Sequence, residues 1–128
     1  MKLKLKYIIL LCLSISTLFI FSGCKNKDAS VLKIYIRSKN NELLADTKVI
    51  IIGDVNSNPP TKEYIDTATT NATGYATFDM QPYFDLAGEK ENPTGYFDIV
   101  FKKDAKSGTG RVRCRVHITT VETLYFTD

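Results

Sequence analysis

The chain is poor in the residues from which active sites are most often built. It has one histidine, His117, in 128 residues. A catalytic triad needs a histidine held between a nucleophile and an acid. Ser107 and Glu122 are the nearest companions in sequence, and nothing specifies their geometry, so His117 reads as a solvated strand position. No two carboxylates are clustered for general acid–base work. Sulfur is equally sparse. Of the three cysteines, Cys12 lies in an apolar leader, Cys24 closes that leader, and Cys114 is left alone, so the following domain has no disulfide to form. His117 and Cys114 fall on opposite faces of an alternating strand, which excludes a shared zinc site. No metal and no cofactor is expected.

Net charge is also missing where it would matter. The formal +3 comes from the leader: without Lys2, Lys4 and Lys6, the 17 basic residues become 14, against 14 acidic ones. A balanced domain offers no general case for nucleic acid as a partner. Helical periodicity and internal repeats are absent. No apolar run approaches the roughly 20 residues of a spanning helix.

What is present begins with that leader. Three lysines precede an apolar and small-hydroxyl run from Tyr7 to Phe21, and Ser22 and Gly23 lead to Cys24. A basic start, a short apolar stretch and a small-residue exit describe a secretory signal peptide. The stretch Phe21-Ser22-Gly23-Cys24 resembles the lipobox of bacterial lipoproteins, with Phe21 in place of the commoner Leu. The resemblance implies cleavage between Gly23 and Cys24 and acylation of the Cys24 thiol. Several acyl chains, at about 0.8 kcal/mol per buried CH₂, would anchor the chain stably. The alternative is an uncleaved membrane anchor in which Cys24 is incidental. Residues 1–23 are thus the expected signal peptide, 24–30 the lipidated cysteine and a short tether, and 31–128 one domain. The tether reaches at most about 20 Å, so the domain would sit near its membrane. Lys25 is not the Asp that retains many such lipoproteins at an inner membrane. The expected location is the cell envelope, at the outer membrane if there are two.

The domain reads as all-β. From Val31 to Arg37, Leu32, Ile34 and Ile36 alternate with Lys33, Tyr35 and Arg37, the period of a half-buried strand. Thr47 to Ile52 is apolar on both faces, as in a strand covered on both sides. Further strands are expected over 64–70, 75–80, 96–102, 111–118 and 121–126. Turns or loops are expected at 38–41, 53–61, 71–74, 81–94 and 103–110. Tyr83 to Ala87 could form one helical turn. Seven short strands with turns between them argue a seven-stranded antiparallel β-sandwich with Greek-key connections.

Leu32 to Ile36, Asn41 to Val49, and Thr70-Asn71-Ala72-Thr73-Gly74-Tyr75-Ala76-Thr77-Phe78 form an ordered series. It is similar to the carboxypeptidase regulatory-like, or transthyretin-like (Ig-like), sandwich family. The first turn lacks the family's usual Gly, and Asn40-Asn41 stand in for it. The resemblance implies a fold and an accessory or scaffolding role rather than a chemistry.

Candidate binding residues remain. Arg111, Arg113, Arg115 and His117 form a one-sided row with steps of about 7 Å. It suits an anionic ligand, such as a lipid headgroup, an acidic polysaccharide or an acidic protein. The competing reading is a solvent face balanced by Asp66, Asp98 or Glu122. Tyr83 and Phe84, with Tyr96, flank the 81–94 stretch and either bind a partner at the end of the domain or pack down onto its core. Asp54, Asn56 and Asn58 resemble half a calcium loop but lack its glycine and terminal Glu, so an Asx-rich turn competes. Cys114 is expected buried and inert. The function that fits is a non-enzymatic envelope lipoprotein that binds or scaffolds an unknown envelope protein or glycan. An assembly subunit pairing through edge strands is the first alternative, and an accessory subunit of an envelope enzyme or polysaccharide-handling complex the second.

Overall fold

A computed structural model of the chain describes residues 4, 6–9 and 28–127. The expected cleavage site and the lipid acceptor, Gly23 and Cys24, lie outside the described residues. After Ser30 the chain forms β1 (Val31–Arg37), β2 (Lys48–Gly53), β3 (Ile65–Thr69), β4 (Tyr75–Asp79), helix α1 (Gln81–Ala87), β5 (Thr94–Lys103), β6 (Lys106–Arg115) and β7 (Thr119–Tyr125). Among the described residues no helix is long and apolar enough to cross a membrane.

The strands make two sheets, in the orders β4-β1-β7 and β3-β2-β5-β6. Alternation decides which side chains meet between them. Leu32, Ile34, Ile36, Ala76 and Phe78 point inward from the first sheet, and Val49, Ile51, Phe97, Ile99, Phe101, Val112 and Cys114 from the second. With Met80, Tyr83, Phe84 and Phe126 they form one buried cluster. Burying each Leu, Ile or Phe contributes about 1.5–3 kcal/mol, and this cluster is the cohesion of a domain without disulfides.

Four expectations are corrected. The strands are not all antiparallel: β7 runs parallel to β1, from Val31 opposite Thr119 to Arg37 opposite Tyr125. The turn after β6 crosses between the sheets at the end where β1 starts, so β7 leaves in the same direction as β1. Alternation carries no information about direction. The stretch 103–110 is not a loop. β5 and β6 are each ten residues long and pair to the hairpin tip, where Lys103 faces Lys106. Gly108 and Gly110 read as loop residues, yet they are strand positions with no room for a side chain. A Cβ at 110 would lie 2.6 Å from both Leu124 methyl carbons, and one at 108 would overlap the Phe101 ring.

The strand expected over 111–118 ends at Arg115. His117 sits in a turn with φ of 59°, outside the arginine row. Nor is β2 covered on both sides: Val49 and Ile51 are fully buried, but Ile50 and Ile52 stay half-exposed on the outer face of their sheet.

Local signals hold elsewhere. Gly74 has φ of 81° and closes the 71–74 turn, its N–H donating to Asn71 O at 2.9 Å. Asn41, in the turn after β1, has φ of 68°, a left-handed conformation that asparagine tolerates. Pro82 lies in the first turn of α1, and Asp79 Oδ1 accepts the Gln81 N–H at 3.0 Å. Thr70, 2% exposed, ties two segments: its hydroxyl donates to Leu44 O at 2.7 Å and accepts the Thr47 N–H at 2.9 Å.

Candidate functional site

Two aromatic side chains leave the list of surface candidates. Tyr83 and Phe84 are 1% and 0% exposed, because the α1 face that carries them closes the end of the core. The ring centroids of Tyr83 lie 5.1 Å from Phe84, 5.0 Å from Phe97 and 5.5 Å from Tyr64, all edge-to-face. Burial raises the Tyr83 phenol above its ordinary pKa, partly offset by hydrogen bonds from the Lys62 N–H and from Thr61. Within the 81–94 stretch, Gln81–Ala87 is a helix packed on the core, and residues 88–93 are turn and irregular chain leading to β5.

Asp54 is committed to local structure. Its Oδ1 accepts the Asn56 N–H at 3.0 Å, an Asx turn, and its Oδ2 pairs with Arg111 Nη2 at 2.6 Å. No group of three or more His, Cys, Asp or Glu among the described residues could hold a metal ion.

His117 and Ser107 are not brought together. Ser107 sits near the hairpin tip, where Lys102 is its partner, and His117 follows the opposite end of β6, roughly 30 Å away at 3.3 Å per residue. The His117 ring instead packs at the start of the domain. Its Nδ1 lies 2.9 Å from Asp28 O, and its Nε2 lies 3.6 Å from Glu89 Oε2. Asp79, Asp85 and Gln81 complete an open, acidic cleft of about 580 Å³ there. A second cleft, about 590 Å³, lies at the far end between the 38–44 loop and the β5–β6 tip. Lys39, Lys103, Glu42 and Asp104 line it with mixed charge. Ser30 also lines the first cleft, but it is fully buried and its Oγ accepts the His117 backbone N–H at 2.7 Å, while the His117 ring contacts Asp28 O and Glu89.

Cys114 is fully buried, and burial pushes its thiol up to about 11, against weaker opposing hydrogen bonds from Thr120 and the Arg115 backbone. A thiol held protonated is a poor nucleophile.

The remaining candidate is the outer face of the four-stranded sheet, and register assembles it. Arg111, Arg113 and Arg115 are exposed on β6, opposite Asp98, Tyr96 and Thr94 of β5. The same parity brings Lys102 of β5 beside Lys48 of β2. Five basic side chains therefore share a face with Asp98 and, at its margin, Asp54. Arg111 is the neutralised member, bound to Asp54 and 5.9 Å from the Tyr96 ring centroid. The guanidinium groups of Arg113 and Arg115 have no ion-pair or hydrogen-bond partner among the described residues. Of the expected balancing acids, Asp98 shares the face, opposite Arg111 and diagonal to Arg113, without an ion pair to either; Asp66 lies opposite Ile51 on the inward side of its strand, and Glu122 belongs to the other sheet. Between the cations runs an apolar strip of Ile50, Ile52, Val100 and Tyr96, half-exposed, with Ile65 at 65% exposure.

Sequence reasoning finds the arginines and misses the lysines. Lys48 and Lys102 are far apart in the chain, and only the β2–β5 register joins them to the row.

No family model matches the chain, and no curated protein matches it. Solved structures do. The Bacillus anthracis TIE protein shares 13% identity at a TM-score of 0.49, over 77% of this chain and 16% of that one. Chlorocatechol 1,2-dioxygenase from Pseudomonas putida shares 15% at 0.43, over 81% and 61%. Catechol 1,2-dioxygenase from Acinetobacter sp. ADP1 shares 13% at 0.42, over 70% and 38%. The chain thus spans less than two thirds of each of these proteins. The likeness is one of β-rich fold.

Proposed function

We propose that this chain is a lipid-anchored cell-envelope protein that presents one transthyretin-like β-sandwich and works by binding rather than by catalysis. Acylation of Cys24 would hold the domain at a membrane surface, and the outer face of the four-stranded sheet would meet an anionic partner. One observation carries the binding half: a domain with balanced charge gathers five cations on one sheet face and leaves Arg113 and Arg115 unpaired. Random scatter on a solvated surface pairs opposite signs more evenly. The buried, protonated Cys114 and the separation of His117 from Ser107 favour binding over nucleophilic chemistry.

The anchor half rests on the leader and on the position of β1. Ser30 immediately precedes β1, so a tether of six residues would join the acyl chains directly to the first strand. Expression with an alkynyl palmitate analogue tests it. The expected result is label in the membrane fraction that is lost in Cys24→Ser. A wild-type chain that takes no label, or a Cys24→Ser chain that keeps it, removes the lipid anchor from the account.

A further inference from the structure

The binding face has features that narrow its ligand beyond "anionic". It is open to solvent, with no enclosing wall: Ile65, Thr67 and Thr69 on β3 and Thr109 and the arginines on β6 are all exposed. A small anion would be held weakly on such a surface, whereas a polymer can gather many contacts along it. The cations extend along the strands. From Ser107 to Arg115 the face is about 27 Å long, with same-face steps of about 7 Å. Arginine is suited to the planar carboxylate, which it can grip with two parallel hydrogen bonds.

The groups between the cations are not those of a pure phosphate site. Thr67, Thr69, Thr94, Ser107 and Thr109 share the outer parity of the strands, so the face carries hydroxyl donors and acceptors. Tyr96 is the cross-strand neighbour of Arg113, at about 5 Å, and continues into the aliphatic strip of Ile50, Ile52 and Val100. Pyranose rings present apolar C–H faces that pack on such side chains, and hydroxyls that exchange hydrogen bonds with threonines. A second copy of this chain is a poor occupant, because a face-to-face pair would oppose the unpaired arginines of one copy to cations of the other.

We propose that the outer face of the β3-β2-β5-β6 sheet binds an acidic polysaccharide whose sugars carry carboxylates, with Arg113 and Arg115 gripping successive uronates and Tyr96 stacking on a ring between them. The proposal rests on the binding half of the function above and is independent of the anchor.

The test uses the full chain purified in mild non-ionic detergent and run in native gels containing polygalacturonate. Fully methyl-esterified polygalacturonate serves as the uncharged control, and flotation with phosphatidylglycerol vesicles in excess of flotation with phosphatidylcholine vesicles, which an acyl anchor enters equally, as the bilayer control. The expected result is retardation by polygalacturonate that the ester does not produce. The paired change Arg113→Gln and Arg115→Gln should weaken it at least 10-fold. These positions are exposed, and an unchanged far-UV circular dichroism spectrum verifies the fold. Tyr96→Ala should weaken polygalacturonate binding several-fold while leaving retardation by polyphosphate, which has no ring to stack, unaltered. The proposal is overturned by equal retardation by the esterified polymer, by polygalacturonate binding that the double glutamine variant retains, or by flotation that favours phosphatidylglycerol over phosphatidylcholine vesicles without retardation by polygalacturonate. The last outcome keeps the anion-binding face and assigns it to the bilayer. A chain that takes the palmitate label but ignores all three polyanions defeats this inference without touching the anchor.

Discussion

Replacing Gly108 with alanine is the sharpest test of how the sheets fit together. In a strand with room for a side chain, Gly→Ala restricts the unfolded chain and stabilises by about 0.5–1 kcal/mol. Gly108 has no such room. It stands directly opposite Phe101 in the β5–β6 register, and the Phe101 ring lies across its Cα. A methyl group at 108 would be 3.0 Å from Phe101 Cε1 and closer still to Cζ and Cε2. Attractive carbon contacts need about 3.5–4.0 Å. The ring cannot retreat freely, since Phe101 is fully buried and meets Phe126 edge-on at 4.8 Å between centroids.

Overpacking of this kind costs about 1–3 kcal/mol, and complete expulsion of the ring would approach the roughly 3–5 kcal/mol of a Phe→Ala truncation. We expect Gly108→Ala to destabilise by about 2–3 kcal/mol in urea unfolding of the chain from residue 28 onward. Phe101→Leu vacates the ring's outer edge, so Gly108→Ala made in that background should cost less than about 1 kcal/mol. The difference is a coupling of 1–2 kcal/mol, within the usual range for residues in contact. A neutral or stabilising Gly108→Ala would show that this glycine is a loop residue after all and that β6 starts later. Equal cost in both backgrounds would show that Phe101 is not the obstacle.

Two further outcomes follow from buried polar groups. Thr70→Val keeps the shape but strands the Thr47 N–H and leaves the Leu44 carbonyl only a long 3.5 Å hydrogen bond from the Thr47 hydroxyl, and should cost about 2–3 kcal/mol by urea unfolding, while Thr70→Ser should stay within about 1 kcal/mol of the parent. Cys114 should make the fold sensitive to alkali. Its folded pKa, about 11, is above the ordinary value of 9.0. The unfolded chain therefore loses that proton first, binds fewer protons than the folded chain, and gains in stability relative to it as pH rises. The contribution is fully present below pH 9 and is lost between pH 9 and 11, at most about 3 kcal/mol for a two-unit shift. Melting temperatures across that window should fall more steeply for the parent than for Cys114→Val. Equal slopes would mean that the thiol is not held protonated.

Much of the fold was legible because alternation is a local property. Leu32, Ile34, Ile36, Ala76, Phe78, Phe97, Ile99 and Phe101 all read as core-facing and all are buried. Turn chemistry was legible for the same reason: Gly74 and Asn41 occupy left-handed backbone that their neighbours cannot adopt cheaply. Failures arose where the deciding atom belongs to a distant residue. Gly108 and Gly110 look like loop punctuation because Phe101 and Leu124, which fill their side-chain space, are invisible to a reading of residues 103–110. His117 continues the alternation of β6 by residue type, but its φ of 59° places it past the strand's end, where its backbone N–H donates to Ser30 Oγ at 2.7 Å.

The candidate face shows the same division. Arg111, Arg113 and Arg115 announce themselves because one strand carries all three. Lys48 and Lys102 do not, since their parity matters only after β2 and β5 have paired with Lys48 opposite Lys102. The apolar outer positions of β2 point to the same conclusion. Ile50 and Ile52 suggested a strand sandwiched between two layers, and the structure leaves them half-exposed beside cations. A half-exposed isoleucine pair gains only part of the roughly 25 cal/mol per Å² available for area removed from water. The proposed carboxylated glycan would supply both apolar ring faces for Ile50, Ile52 and Tyr96 and charge for Arg113 and Arg115, whereas a phosphate surface would answer only the second.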